Sequence, residues 1–140
     1  MSRSSALTEA VKDILNANTY SIDFTAVRGY RLGYKYKELS ALHITVLSPI
    51  IEQEEVSRVG NQDTISVDIV IQKQCKPEDN TAADALSDLV EEIAVSFRGT
   101  RYKKWSWIDT KIAVPYDPNE LSDQQVFSAL VTLRYRVFWK

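Results

Sequence analysis

QDTISVDIVIQKQC, residues 62–75, places Ile65, Val67, Ile69 and Ile71 on one side and Ser66, Asp68, Gln72 and Gln74 mostly on the other. Successive side chains of a strand point to opposite faces, so a period of two marks a strand with one dry face and one wetter face. The dry face needs a cover, and the segments on either side of this strand supply candidates.

Downstream, residues 76–80 (KPEDN) break the strand, and Thr81 followed three residues on by Asp84 reads as the capped start of a helix. Leu86, Leu89, Val90, Ile93, Ala94 and Phe97 trace one face of that helix. It ends at Arg98-Gly99, with glycine where a C-terminal cap is expected. Asp84, Asp88, Glu91 and Glu92 read as its solvated face. Farther on, residues 105–114 lean to β structure, 115–123 form a loop, and 126–139 form a long final strand. In that strand Phe127, Ala129, Val131, Leu133, Tyr135 and Val137 share one face, and Ser128, Thr132, Arg134 and Arg136 share the other.

Upstream, Gly60-Asn61 is a turn signal that joins residues 51–59 to the alternating stretch as a hairpin. Residues 42–47 (LHITVL) read as a short strand stopped by Pro49, because proline has no amide hydrogen for a ladder. From Ser4, apolar residues at Leu7, Ala10, Val11, Ile14 and Leu15 make a helical stripe, with Ser4 or Ser5 as N-cap. A helix this short is marginal alone and needs a surface to dock on. Residues 16–20 read as a turn and 22–32 as β-leaning, with Phe24, Val27 and Tyr30. Arg28, Arg31, Lys35 and Lys37 with Tyr30, Tyr34 and Tyr36 then make a basic, aromatic stretch, expected as an exposed loop or strand edge. The order helix, strands, helix, strands predicts an α+β fold in which a mainly antiparallel sheet carries both helices on one face.

At 140 residues the chain fits a single domain spanning 1–140 and is long enough to bury a core without metal or disulfide support. Its 44% hydrophobic and 26% charged residues are ordinary for a soluble globular protein, and no run has the apolar length of a membrane span. Glu9, Lys12 and Asp13 interrupt the N-terminal apolar pattern, unlike a secretory signal, so folding in a cytoplasm is expected. A net charge of -2 argues against a protein whose main task is gripping phosphate backbone.

Reactive constellations are scarce. His43 is the only histidine and Cys75 the only cysteine, so they cannot by themselves build a zinc site. His43 within LHITVL reads as a strand histidine that is hydrogen-bonded or at the surface, and Cys75 as a small, partly buried apolar residue. A pairing of Asp63 and Asp68 in a divalent-ion site has only spacing behind it. Neither an enzyme, a cofactor nor a metal is expected. RGTRYKKWSW, residues 98–107, interleaves Arg98, Arg101, Lys103 and Lys104 with Tyr102, Trp105 and Trp107. That composition suits a single-strand nucleic-acid platform or a protein-docking surface. Hot-spot enrichment of Trp, Tyr and Arg, with the acidic net balance, favours docking to protein.

The N-terminal helix, FTAVRGYR, LHITVLSP, NQDTISVDIVIQK, ALSDLVEEIAVSFRG and VTLRYRVFW together resemble the tail-terminator (tail-completion) proteins of tailed bacteriophages over nearly the whole chain. The resemblance implies a small structural protein that forms a ring, typically a hexamer, at the head-proximal end of the tail tube. Such a ring ends tube growth and docks to the head-tail connector, while genomic DNA passes through its lumen without sequence recognition. The implied partners are further copies of the chain, the tail tube protein and the connector or neck protein, with no membrane. The implied location is the virion tail, after assembly in the host cytoplasm. The family has no catalytic residues to carry over. On this view Asp68, Gln72, Arg134 and Arg136, with Ser66 and Thr132, are candidates for a subunit contact or the lumen. Arg98, Arg101, Tyr102, Lys103, Lys104 and Trp105 are candidates for partner docking. Another neck or head-tail joining protein, or a nucleic-acid-binding module, is the alternative.

Overall fold

The computed structural model describes residues 3–30, 36–57, 60–76, 78–113 and 125–139. The alternating stretch lies in β3 (Gly60–Gln74), which is antiparallel to β2 (His43–Ser57) on one side and to β6 (Val126–Trp139) on the other. Outside β6 lie β5 (Trp105–Ala113) and the two-residue β4 (Arg101–Tyr102), each antiparallel to its inner neighbour. Outside β2 lies β1 (Ala26–Arg28), parallel to it. The order β1-β2-β3-β6-β5-β4 makes a curled, mixed six-stranded sheet. With α1 (Arg3–Ala17) and α2 (Asn80–Ser96) the architecture is α+β.

Register decides which face each residue takes. Ile44 and Val46 of β2 lie beside Ile71 and Ile69, and Ala129, Val131, Leu133 and Tyr135 of β6 lie beside Ile71, Ile69, Val67 and Ile65. All are buried, and Leu7, Val11 and Leu15 of α1 join Leu86, Leu89, Val90, Ile93 and Phe97 of α2 in the same core. Both helices therefore cover the dry side of β3, as the alternation predicts. No described helix is long and apolar enough to cross a membrane.

Several local expectations are corrected. α1 begins at Arg3, so Ser4 and Ser5 lie within the helix and not at its cap. α2 is capped by Asp79 and not Thr81: the Asp79 carboxylate accepts the Ala82 amide at 3.0 Å, where its charge also suits the positive end of the helix. The helix ends at Ser96, and Gly99 at φ 70 takes the left-handed conformation that glycine adopts without a Cβ clash. Pro49 does not stop β2. The pairing with β3 shifts register between Leu47 and Ile50, so proline falls at an irregularity where a ladder hydrogen bond is already interrupted.

Of residues 22–32, only Ala26–Arg28 form a strand. Ile22 and Phe24 instead pack partly buried against the core, with Phe24 stacked on Tyr20 at 5.4 Å. Gly60-Asn61 belongs to β3 and not to a turn before it; residues 58–59, residues 31–35 and the expected loop at 115–123 lie outside the described residues. The 14 residues of β6 match the expected final strand.

Leu89 is fully buried between α2 and the sheet. Leu89→Ala removes that packing and leaves a cavity, so it should destabilise the fold by about 2–5 kcal/mol. Urea unfolding followed by circular dichroism checks this, with the midpoint falling at unchanged slope.

Candidate assembly surface

The face of the sheet opposite the helices collects the polar half of the alternation. Successive rungs across β2, β3, β6 and β5 read His43–Gln72–Ser128, Thr45–Val70–Leu130–Ala113 and Leu47–Asp68–Thr132–Lys111. The next two bring Arg134 between Ser66 and Asp109, and Arg136 between Thr64 and Ser106. Asp68, Gln72, Arg134 and Arg136 thus share one face.

That face is more enclosed than an ordinary solvated surface. Thr45, Thr64, Ser66, Val70 and Ser128 are buried, Ser128 to 1% exposure. The short 3-10 helix Tyr36–Ser40 lies against β3 on this side: His43, beside Gln72, bonds through Nε2 to the Glu38 carbonyl oxygen at 2.7 Å. Leu39 of that helix and Val70 are both buried outside the main core.

Polar partners are distributed unevenly. Thr132 Oγ1 donates to Asp68 Oδ1 at 2.8 Å, and Arg134 Nη1 donates to Asp109 Oδ2 at 2.8 Å. The Arg134–Asp109 side chains are 34% and 40% exposed, so the pair contributes at most about 1 kcal/mol. Burial pushes the Asp68 carboxyl above its ordinary range, against the opposing effect of the Thr132 hydrogen bond. Thr45 Oγ1, Gln72 Oε1, Asp109 Oδ1 and Ser128 Oγ are buried without a hydrogen-bond partner among the described residues. An unsatisfied buried polar atom costs about 1–3 kcal/mol, so these positions are held at some cost to the fold.

The basic, aromatic stretch divides. Arg98, Arg101, Lys103 and Lys104 are exposed around the end of α2 and the turn between β4 and β5, and the Lys103 ammonium lies 5.4 Å from the centre of the Tyr102 ring. Trp105 is only 5% exposed and belongs to the core. It anchors the hairpin and is not itself a docking or stacking surface. Trp107 is partly buried against the core, its indole N–H donating to Thr110 Oγ1 at 2.8 Å.

His43 and Cys75 are poorly placed for nucleophilic chemistry. The histidine ring is held by a main-chain carbonyl, and burial pushes the Cys75 thiol up, away from the reactive thiolate. Among the described residues no group of three His, Cys, Asp or Glu side chains is arranged to hold a metal ion.

Two features leave little trace in the sequence. A groove of about 990 Å³ runs between residues 18–22 and α2, lined by Ile22, Ala85, Asp88, Glu91 and Val95 among others. Glu92 accepts hydrogen bonds from the Ser21 amide and hydroxyl, and Tyr20 and Ser96 hydroxyls meet at 2.9 Å, tying its walls together. The second is the burial of Ser66 and Ser128. Its one sequence signal is Val70, an apolar residue on the polar side of the alternation.

Compared with known protein families and with curated protein sequences, the chain matches none.

Because burial raises the Asp68 pKa above its unfolded value, the fold holds that proton more tightly than the unfolded chain does. Its contribution is therefore most favourable below the ordinary carboxylate range and is lost as pH rises through the folded pKa. Asp68→Asn keeps an acceptor for Thr132 and removes the charge. It should raise the denaturation midpoint at pH 7 and bring no gain at pH 3, measured by parallel unfolding curves.

Proposed function

We propose that this chain is a structural tail protein of a tailed bacteriophage, of the tail-terminator kind. It closes into a ring, typically hexameric, at the head-proximal end of the tail tube, ends tube growth and docks to the head-tail connector. It works by assembly and without catalysis, with genomic DNA passing through the ring. The resembling segments fall on α1, β1, β2, β3, α2 and β6, which form the frame of the fold.

The observation that carries the reading is the sheet face opposite the helices. The short 3-10 helix lies against it at β3, and the half-buried polar residues of the face, Gln72, Asp68, Thr132, Arg134 and Arg136, keep part of their surface open. A broad polar face with charged groups of both signs suits contact with another protein surface. Asp68, Arg134 and Arg136 extend that surface across β3 and β6. Whether it faces a subunit or the lumen, the same residues line it.

Purified protein should show the mass of a closed ring in size-exclusion chromatography with light scattering, alone or after addition of isolated tail tubes. A mass that stays monomeric in both conditions overturns the reading. Gold labelling in electron micrographs should place the chain at the tube's head end, separating this role from other neck positions.

A further inference from the structure

The groove between residues 18–22 and α2 has fastened walls. Ser21 and Tyr20 bond to Glu92 and Ser96 of the helix, and Tyr20 stacks on Phe24. Its volume of about 990 Å³ lies at the top of the roughly 300–1,000 Å³ range of small-ligand pockets, so it admits a few side chains from the tip of a hairpin. The lining is more apolar than polar, and Val95 within it is 55% exposed. Asp88 and Glu91, also in the lining, are exposed and have no ion-pair partner among the described residues. An occupant that matches this chemistry carries positive charge on an apolar stem or beside an aromatic ring.

The same chain displays such a segment. β4 and β5 are joined by the two-residue turn Lys103-Lys104, between the paired Tyr102 and Trp105. Lys103 has φ 53, in the left-handed region where two-residue hairpin turns favour glycine, asparagine or aspartate. A lysine there strains the backbone and sets a charge at the tip, where glycine would make the turn without strain. Arg101 and Lys103 are exposed and have no ion-pair partner among the described residues, and the Lys103 ammonium lies 5.4 Å from the centre of the half-buried Tyr102 ring. Buried Trp105 anchors the turn, so docking it orders little that is not already ordered.

We propose that copies of this chain join turn to groove: the β4–β5 turn of one copy seats in the α2 groove of the next, with Arg101 and Lys103 meeting Asp88 and Glu91, and the Tyr102 ring and lysine stem covering Val95.

Charge selects this pairing over its alternatives. Groove against groove would set Asp88 and Glu91 against their like, and turn against turn would do the same with Arg101 and Lys103; like-charge contacts suppress wrong partners. The turn lies at the β5 margin of the sheet and the groove beside α2, so the contact joins two different surfaces, which is the relation that closes rings. The inference rests on the ring reading and specifies its subunit contact.

Three variants and a rescue test it, in whichever condition gives the wild-type ring. Asp88→Lys/Glu91→Lys, Arg101→Glu/Lys103→Glu and Val95→Lys each change only exposed side chains, so circular dichroism should show the fold kept while light scattering falls from the ring mass to that of single chains. The chain carrying both charge reversals, Asp88→Lys/Glu91→Lys/Arg101→Glu/Lys103→Glu, should regain the ring. A ring that persists in any of the three variants, or a four-site chain that stays single, overturns the turn-to-groove contact while the ring reading stands. Wild-type protein that remains monomeric even on tail tubes overturns the ring reading itself, and this contact falls with it.

Discussion

Hydrogen bonding of β3 on both sides is the constraint from which the remaining geometry follows. A strand paired with β2 and β6 along its length cannot slip by one residue without moving Ile65, Val67, Ile69 and Ile71 to the opposite face. Once those four face the helices, the neighbouring registers bring Ile44, Val46, Val131, Leu133 and Tyr135 to the same side, and α1 and α2 can bury their stripes only there. The polar half of β3 is then committed to the other face. Irregularities are confined to places where this commitment tolerates them. β2 shifts register around Pro49, and β5 shifts between Trp107 and Asp109, leaving Ile108 out of the pairing. The second shift sets Asp109, and not Ile108, beside Arg134, which makes their ion pair possible.

The margins are held by local clamps. Asn16 at the end of α1 uses its amide as a substitute strand partner: Ala26 N donates to Asn16 Oδ1 at 2.8 Å, and Asn16 Nδ2 donates to the Ala26 carbonyl at 3.2 Å. Arg28 reaches back to Glu9 at 3.1 Å, so the parallel β1 is fastened to the helix that covers it. At the other margin Gly99 turns the chain out of α2. The Thr100 hydroxyl then meets both the Phe97 carbonyl at 2.8 Å and the Tyr135 hydroxyl at 2.6 Å. Trp107 N donates to the Thr100 carbonyl at 3.1 Å, which fixes where the β4–β5 hairpin leaves the helix. Trp105, buried beneath it, turns a basic loop into a rigidly mounted one.

Elements with strong periodicity were legible in the sequence because burial on one face leaves a regular trace. The periodicity of β3, β6 and the buried stripe of α2 marks their core residues nearly one by one. The helix starts were not, because Ser, Thr and Asp all cap well and adjacent candidates compete. At α2 the carboxylate of Asp79 lies just before the helix and reaches the Ala82 amide. Pro49 misled because a proline inside a strand is compatible with pairing once the ladder is locally out of register, which sequence does not reveal. The candidate residues Asp68, Gln72, Arg134 and Arg136 were grouped correctly because the period of two sorts them without knowledge of strand order. Trp105 was misplaced because an aromatic next to lysines has the same composition whether it faces solvent or core.

Burial on the polar face is the least legible property of the sequence. Alternation reports chemical type, and small hydroxyl side chains such as Thr45, Ser66 and Ser128 are read as wet by default. In this curled sheet they are buried. Enclosure costs little for such residues while their hydrogen bonds are met, and more where they are not. A lone domain optimised only for its own stability gains from apolar residues at those positions. Thr45, Gln72 and Ser128 keep unpartnered buried atoms among the described residues, on the same face as the Asp68–Thr132 and Arg134–Asp109 contacts.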